Sequence, residues 1–286
     1  MLSVHGPILA VNDLFTIAEQ APTRTHNAPI RFVIFSSYGN DSVALIQWAH
    51  EQRIEGVAVV FTDTDWAADG WMERVDRCEV WVRTLGFTPH RTYSKGFRQL
   101  ARDKKGFPTQ RYQWCSNILK IEPGQRWLAE HDPDARAVCL IGVRREESEE
   151  RAEFPEWLIR SDNHGFRVTI APFATFDEAQ RNELIIRAGF EVLPHRSREC
   201  KCINANRADM RGFTENDWLD IFNIEAEVGK TMYRPHRHMG ARGAVEVRKW
   251  ANSARGAYQP PNPADAIPPD DLPDEDSTGC KPGWCE

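Results

Sequence analysis

The sequence predicts an α/β fold, with a doubly wound, mainly parallel sheet that carries helices on both faces. Two observations predict it. Short, continuous apolar runs rich in β-branched and aromatic residues alternate along the chain with stretches of helical spacing. Continuous apolar runs are typical of parallel strands that are buried on both faces, and their alternation with helices favours a parallel sheet covered by helices.

The first four elements follow one another closely. Residues 31–37, RFVIFSS, predict a strand, and residues 43–53 continue with helical spacing. The apolar run at 56–62, GVAVVFT, predicts a second buried strand. Apolar residues then recur at steps of three and four over 71–85, which indicates one face of a helix, and Gly86 stands where a glycine ends such a helix.

Later segments continue the alternation. The runs at 137–143 and 166–170 predict two further strands. Before them, residues 114–128 suggest a helix in which Pro123 suits the first turn, where its missing N–H removes no hydrogen bond. Residues 175–178 form a predicted capping box that starts another helix.

The chain divides into three predicted regions. Residues 1–190 form the α/β domain, and residues 191–256 form a smaller helical, basic extension that contains cysteines. Two helices are expected in the extension, over 214–229 and 243–252, the first with a capping signal at Thr214 and Asp217. Residues 257–286 form a Pro-rich acidic tail that ends in a cysteine pair and has too few apolar residues to fold alone.

Charge and composition exclude some classes of protein. The formal net charge of −6 over 286 residues argues against a globally basic nucleic-acid binder. No stretch approaches the roughly 18 apolar residues of a membrane helix, and the N-terminus lacks signal-peptide features, so a soluble, cytoplasmic protein is expected. In that compartment the seven cysteines are expected to be thiols, metal ligands or catalytic groups.

A polar loop, SYGNDS at 37–42, separates the first strand from the first helix. Backbone N–H groups and the positive end of a helix dipole converge at such a junction, which suits a phosphate. Ser37 and Ser42 add hydroxyl donors, and Gly39 allows a close backbone approach. The alternative is an ordinary turn in which Asp41 or a serine caps the helix.

Four segments in order carry a resemblance to a known family. Together they resemble the PP-loop superfamily, the adenine nucleotide α-hydrolases with a HUP-like fold, and more closely its phosphoadenosine phosphosulfate (PAPS) reductase-like branch. The resemblance spans about half of the chain. The segments are SYGNDS at 37–42, FTDT at 61–64, WCSNILKIEP at 114–123 and GVRREESEER at 142–151.

The resemblance implies roles for individual residues. Asp63 would lie near the adenosine, while Lys120 and Arg144 would face the nucleotide or its acidic substituent as catalytic groups. Glu146, Glu147 and Arg151 complete their motif without an obvious chemical role, and a solvated charged loop is the alternative. The phosphates would be held by the loop residues Ser37, Gly39, Asn40, Asp41 and Ser42.

One loop position departs from the family. ATP-cleaving members often carry lysine where Asn40 stands, and asparagine cannot supply its positive charge. The Asp41–Ser42 pair nevertheless resembles the ATP-pyrophosphatase pattern more than the loop of sulfonucleotide reductases. The resemblance therefore favours ATP over PAPS or its 3′-dephosphorylated analogue APS.

The cysteines divide into two groups. Cys78 and Cys139 fall on apolar faces and are predicted to be core residues. Five others lie in polar or turn-rich contexts, and any four of them could hold a [4Fe–4S] cluster or, as the weaker alternative, zinc. These candidate ligands are Cys115, Cys200, Cys202, Cys280 and Cys285.

The tail pair has its own alternative interpretations. Cys280 and Cys285 could form a redox dithiol, or Cys285 could act as the mobile nucleophile that sulfonucleotide reductases present at their C-terminus. A tail with unused cysteines is the third alternative.

Basic residues surround the central cysteine pair and are predicted to lower thiolate pKa values or to bind an anion. A second basic segment over 230–242 suits a nucleic-acid strand or a solvated surface. The residues around the pair are Arg196, Arg198, Lys201, Arg207 and Arg211.

Three functions remain open from the sequence. The first is cleavage of ATP between its α- and β-phosphates with Mg²⁺, coupled to sulfur transfer to an acceptor such as a nucleic acid, with a protein as sulfur donor or reductant. The second is a PAPS or APS reductase that uses a C-terminal cysteine. The third is a non-catalytic nucleotide-binding subunit.

Overall fold

The computed structural model describes residues 30–109, 112–233, 242–254 and 257–259. Within them lie six strands: β1 (Phe32–Phe35), β2 (Val57–Asp63), β3 (Thr88–Tyr93), β4 (Val138–Leu140), β5 (Trp157–Ser161) and β6 (Arg167–Ile170). Eight helices accompany them: α1 (Asn40–Glu51), α2 (Trp71–Thr84), α3 (Phe97–Lys104), α4 (Glu122–His131), α5 (Glu178–Arg187), α6 (Arg207–Arg211), α7 (Glu215–Val228) and α8 (Gly243–Asn252).

Shorter helical turns complete the description. A single turn at Trp114–Ser116 and a π-helix at Asn117–Ile121 lead directly into α4. Pro123 occupies the first turn of α4, as predicted. The 3₁₀ turns Arg145–Glu147, Glu149–Arg151 and Asp162–His164 lie in the loops after β4 and β5.

The sheet has the order β3-β2-β1-β4-β6-β5. Every neighbouring pair is parallel except β5 and β6, which are antiparallel. Successive strands β1, β2 and β3 extend to one side of the sheet, and the chain then returns to place β4 on the other side of β1. The junction between β1 and β4 is therefore a topological switch point, where α/β proteins bind ligands. This confirms the predicted doubly wound, mainly parallel sheet.

Alternate residues of the central strands face two different cores. Phe32 and Ile34 of β1 pack with α1, α2 and α5, whereas Val33 and Phe35 pack with α4. Cys78 and Cys139 are fully buried in these cores, as predicted. A third cluster joins α7 and α8 to α3 and the loop after β2. The C-terminal helices thus share a core with residues from the first half of the chain.

Two strands and one helix start differ from the sequence predictions. The edge strands β3 and β5 were not predicted, because TPHRTY lacks an apolar run and β5 leaves most side chains exposed. The predicted capping box at 175–178 is wrong by two residues. The side chain of Asp177 caps α5 and pairs with Gln180, since the chain before it packs as a turn on Phe173. The capping box of Thr214 and Asp217 is confirmed.

Candidate nucleotide and thiol site

The SYGNDS loop lies at the carboxyl end of β1 and leads into α1. Tyr38 adopts a left-handed φ of 58°. Its N–H donates to Ser36 Oγ at 3.0 Å, and the Gly39 N–H donates to Ser37 Oγ at 3.2 Å. Ser37 Oγ also lies 3.3 Å from Ser42 Oγ. The two predicted serine donors therefore share one side of the turn, where the N-terminus of α1 favours an anion.

Gly39 is the residue of the loop that lies against Ser197. A Cβ atom at this position would lie 2.8 Å from the Cβ of Ser197. Real side chains do not approach this closely, so the segment around Ser197 can lie against the loop only because residue 39 is glycine.

Asp41 is directed to two arginines. Its carboxylate accepts from Arg144 Nε at 3.0 Å and lies 3.4 Å from Arg181 Nη1, and all three side chains are buried. The N-cap of α1 is Gly39, which makes no side-chain capping bond. The alternative in which Asp41 caps the helix is therefore wrong, because the arginines hold its carboxylate.

Arg144 is surrounded by acidic groups. Besides Asp41, it donates to Glu146 at 2.7 Å and lies 3.6 Å from Glu147, which also pairs with Arg151. Burial lowers the pKa of Arg144, but these carboxylates, Asp41 foremost, raise it above its ordinary value. Glu146, Glu147 and Arg151 thus form an ion-pair network, which gives the GVRREESEER segment a structural role.

Asn40 has a different contact from the one predicted. Its Nδ2 donates to the carbonyl of Leu193 at 2.9 Å, and its Oδ1 accepts from the Leu193 N–H at 2.9 Å. Both polar ends of the amide are therefore bonded to one backbone position. This pair ties the segment that follows α5 to the first residue of α1.

Asp63 ends β2 at the same edge of the sheet as the loop. Its Oδ1 accepts from the N–H of Asp65 at 2.8 Å, and its carbonyl accepts from the N–H of Ser94. Thr64, the next residue, donates to the carbonyl of Glu199 at 2.9 Å. The FTDT segment therefore connects the carboxyl end of β2 to the cysteine-containing segment.

Three of the five candidate cysteines line a single pocket. Cys115 comes from the turn before α4, and Cys200 and Cys202 come from the segment after α5. Lys120, Ser197 and other side chains complete the wall: Thr64, Gln113, Ser116, Leu119, Arg196, Arg198, Glu199, Ala205, Asp209 and Phe213. Since Ser197 also contacts Gly39, the pocket adjoins the phosphate loop.

Burial disfavours the thiolate forms of the cysteines in this pocket. Burial raises the pKa of Cys115 to about 12 and raises the pKa values of Cys200 and Cys202 above their usual range. Lys120 acts in the opposite direction at all three but is outweighed. Arg196 lowers the pKa of Cys202, as predicted for the nearby basic residues, but burial has the larger effect and raises it.

Lys120 forms a buried ion pair with Glu199 on the pocket wall. Burial lowers the pKa of Lys120, but Glu199 raises it above its ordinary value, so the lysine is charged. Oε1 of Glu199 accepts this contact, whereas Oε2 is buried without a hydrogen-bond partner in the described structure. Glu199 was missed by the sequence analysis, although it directly precedes Cys200.

Lys201 faces away from the pocket. Its side chain is 2% exposed, and its Nζ donates to the carbonyl of Ala67 and to Asp220, both at 3.0 Å. The ammonium also lies 4.4 Å from the centre of the Trp66 ring, whose Nε1 donates to the Lys201 carbonyl at 3.0 Å. This anchor leaves Cys200 and Cys202, on either side of Lys201, on the pocket wall.

Most of the predicted basic surface around the cysteines serves the fold. Arg198 donates to the carbonyl of Gly212 at 2.9 Å. Arg207 and Arg211 donate to carbonyls at the C-terminus of α8, including those of Trp250 and Ala251. These contacts satisfy helix-end carbonyls and place positive charge at the negative end of the helix dipole.

Two predicted features lie outside the described residues. Cys280 and Cys285 belong to the tail beyond residue 259, and residues 234–241 of the second basic segment are likewise outside. Within the described ranges, no group of three or more His, Cys, Asp or Glu side chains is arranged to hold a metal ion. None of the helices described there is long and apolar enough to cross a membrane.

Several known proteins are similar to this chain. A 120-residue stretch, 42% of the chain, is 29% identical to the uncharacterized protein MJ0066 of Methanocaldococcus jannaschii and covers 24% of that protein. The chain thus spans about a quarter of this relative's length.

Two solved structures align with parts of this chain at low identity. PAPS reductase from Candida auris, in a phosphate complex, aligns with a TM-score of 0.43 and 17% identity over 64% of this chain and 81% of that one. The U34-tRNA thiolase NcsA from Methanococcus maripaludis, with its [4Fe–4S] cluster, aligns with a TM-score of 0.43 and 11% identity over 76% of this chain and 74% of that one.

The chain also matches a known protein family. Residues 31–203 match the phosphoadenosine phosphosulfate reductase domain, which is more than half of the chain. The matched range contains the SYGNDS loop, the Lys120 and Arg144 segments and the three pocket cysteines. The chain belongs to the phosphoadenosine phosphosulfate reductase domain family.

Proposed function

We propose that this protein cleaves ATP between its α- and β-phosphates and couples the cleavage to sulfur transfer onto an acceptor. One observation carries the proposal. The pocket lined by Cys115, Cys200 and Cys202 adjoins the phosphate loop through the contact of Ser197 with Gly39. An adenylated acceptor formed at the loop would therefore lie next to sulfur-bearing side chains.

The chemistry has two steps. An acceptor oxygen attacks the α-phosphorus of ATP, the bond from that phosphorus to the bridging oxygen breaks, and pyrophosphate leaves with Mg²⁺. A sulfur nucleophile, supplied by a protein donor, then attacks the activated carbon, and AMP leaves with the acceptor oxygen. The protein contributes mainly by positioning phosphates and by stabilising charge on the leaving pyrophosphate.

Individual residues have distinct proposed roles. Ser37, Gly39 and Ser42 would bind phosphate through hydroxyl and backbone N–H groups. Arg144 would hold the loop through its contact with Asp41 at 3.0 Å. Lys120 would present its ammonium to the acceptor side of the pocket, where Glu199 keeps it charged. Asp63 would lie near the adenosine.

The cysteines of the pocket are candidate ligands of an iron–sulfur cluster, with zinc as the weaker alternative. Thiolates are the usual ligands of such clusters, and Cys115, Cys200 and Cys202 would hold one, with Cys280 or Cys285 as the fourth ligand. Zinc would use the same thiolates. When bound, a [4Fe–4S] cluster would supply soft iron sites to sulfur chemistry.

The first experiment measures metal content and turnover. Protein purified without oxygen is analysed for iron, sulfide and zinc and recorded by absorbance, then incubated with Mg²⁺ and ATP in the presence of bulk RNA or DNA. We expect iron and sulfide in the protein, and pyrophosphate in the reaction. The Ser42→Ala variant should release pyrophosphate at least about 10-fold more slowly, because a phosphate donor is lost.

Cysteine variants separate the two steps. Cys200→Ser should still release pyrophosphate but should incorporate no sulfur, whereas Cys78→Ala, a buried core cysteine outside the pocket, should do both. Sulfite release from PAPS without AMP formation from ATP would instead identify a reductase, in which Cys285→Ser abolishes turnover. ATP binding without turnover on either substrate would identify a nucleotide-binding subunit.

A further inference from the structure

Buried positive charges in the described structure are almost all paired with carboxylates. Arg144 and Arg181 contact Asp41, Arg167 contacts Asp132, and Lys201 contacts Asp217 and Asp220. Among the buried arginines and lysines described, only Arg74, which is 7% exposed, has no carboxylate within 4 Å. An unpaired buried charge is costly, so a group in this state calls for a compensating partner.

The surroundings of Arg74 are aromatic and backbone groups. Its guanidinium carbon lies 5.5 Å from the centre of the Trp71 ring and 5.4 Å from that of Phe190. Nε donates to the carbonyl of Tyr38 at 2.8 Å, and Nη2 is buried without a hydrogen-bond partner. Burial lowers the pKa of Arg74. The guanidinium therefore has a free donor and an uncompensated charge.

Arg74 lies beside the phosphate loop. It belongs to the first turns of α2, which begins after the carboxyl end of β2, at the edge where α/β sheets bind ligands. Trp71, one turn earlier, donates to the carbonyl of Ser37 at 3.2 Å, next to the Tyr38 carbonyl that Arg74 contacts. Helix α2 thus touches two consecutive residues of the loop.

The loop itself carries no cation. Asn40 occupies the position where ATP-cleaving relatives often have lysine, and its amide is bonded to Leu193. Arg144 and Lys120 are each paired with an acidic side chain. Helix α2 therefore brings a buried positive charge without a carboxylate partner to the side of this loop.

We propose that Arg74 is a nucleotide-binding residue whose free guanidinium donor contacts a phosphate and supplies the charge that Asn40 lacks. The inference rests on the proposed phosphate site. In this proposal the bound phosphate is the partner that compensates the charge of Arg74, through a charge-assisted hydrogen bond.

The test compares ligands with and without phosphate. Dissociation constants for ATP, pyrophosphate and adenosine are measured by calorimetry with Mg²⁺ for the wild type, Arg74→Gln and Arg74→Lys. Arg74→Gln should weaken ATP and pyrophosphate binding by about 10- to 100-fold and adenosine binding less than about 2-fold. Arg74→Lys keeps the charge without the planar donor pair and should fall in between. Arg187→Gln, which removes an exposed pair with Glu51, is the matched control.

Thermal melting provides a second readout. Without ligand, Arg74→Gln should melt no lower than the wild type, because an uncompensated charge is removed, and its increase in Tm with ATP should be smaller. If Arg74→Gln does not fold, Arg74→Lys carries the comparison. The role of Arg74 would be overturned, with the proposed function left standing, by either of two results. One is an equal weakening of adenosine and ATP binding, and the other is unchanged binding of ATP and pyrophosphate in both variants. A wild type that binds neither ATP nor pyrophosphate would overturn the proposed function as well.

Discussion

At the scale of single residues, Asn40 shows how one side chain can replace a predicted ligand contact with a structural one. Its two hydrogen bonds to Leu193 hold the segment that leads to Ser197, Glu199 and Cys200 against the start of α1. A lysine at this position could donate to the Leu193 carbonyl but could not accept from its N–H. The asparagine therefore couples the phosphate loop to the thiol pocket.

The Asn40→Ala variant should separate these two parts of the site. We expect the free energy of unfolding to fall by about 1–3 kcal/mol, because two partly buried hydrogen bonds are lost. Hydrogen exchange of residues 191–199 should become faster, while exchange in β1 stays unchanged. An equal increase in exchange across the whole chain would show that Asn40 supports the fold generally.

His164 is a buried neutral histidine far from the pocket in sequence. It is 2% exposed, and its Nδ1 lies 2.8 Å from Ser161 Oγ. Burial, with a smaller effect of Arg167, lowers the pKa of His164 from 6.5 to about 4. As the pH falls, His164 therefore binds a proton in the unfolded chain before it does so in the folded chain. The free energy of unfolding decreases as the pH falls from about 6.5 towards 4.

The wild type should lose about 2 kcal/mol of unfolding free energy from this histidine between pH 7 and pH 5. His164→Gln should remove that part of the pH dependence in urea unfolding curves measured at both pH values. His50→Gln, at an exposed histidine in the last turn of α1, should keep the wild-type dependence. A pH dependence that survives in His164→Gln would contradict the assignment.

At the scale of elements, the C-terminal end of α8 depends on arginines from the preceding region. Arg207 donates to the Trp250 carbonyl at 2.9 Å and to Ser253 Oγ at 3.0 Å. Helix-end carbonyls have no partners within their own helix, and a guanidinium satisfies several at once. Helix α8 is therefore held to α6 by charge-assisted bonds as well as by its apolar face.

Arg207→Ala should lower the free energy of unfolding by about 1–3 kcal/mol, because charge-assisted bonds to helix-end carbonyls are lost. Arg248→Ala, which removes an exposed ion pair with Glu215 on α7, should cost about 1 kcal/mol or less. Denaturant unfolding of both variants gives the comparison. Equal losses would argue against a special role of the α8 terminus.

At the scale of the whole molecule, the site joins parts of the chain that are distant in sequence. The loop at 36–42, the turn at 114–116 and the segment at 193–202 meet at one edge of the sheet. A ligand bound at this edge would stabilise all three together.

ATP at about 100 times its dissociation constant should raise the free energy of unfolding by about 2.7 kcal/mol. Protection from hydrogen exchange should increase in both the 36–42 loop and the 193–199 segment, because Ser197 lies against Gly39. Adenosine at the same multiple of its own dissociation constant is the control for the phosphate contribution. Protection of the loop without the segment would show that the two parts do not respond as one unit.

The sequence alone determined the fold class, the central strands, the loop between β1 and α1, and the family. These follow from local signals: apolar runs, helical periodicity and short motifs whose residues are adjacent in the chain. It also named five candidate cysteine ligands, three of which, Cys115, Cys200 and Cys202, line one pocket in the structure. The edge strands β3 and β5 were not predicted, because strands at a sheet edge bury few side chains and so lack an apolar pattern.

Only the tertiary structure decided what each polar side chain contacts. Arg74, Glu199 and Leu193 reached the site through packing between segments more than 30 residues apart, for which a single sequence carries no signal. Asp41, Asn40 and most of the basic residues have fixed partners in the fold, and burial reversed the predicted direction of the cysteine pKa values. Burial and ion pairing depend on which side chains the folded chain places around a group, so the protonation and contacts of the pocket residues are set by the tertiary structure.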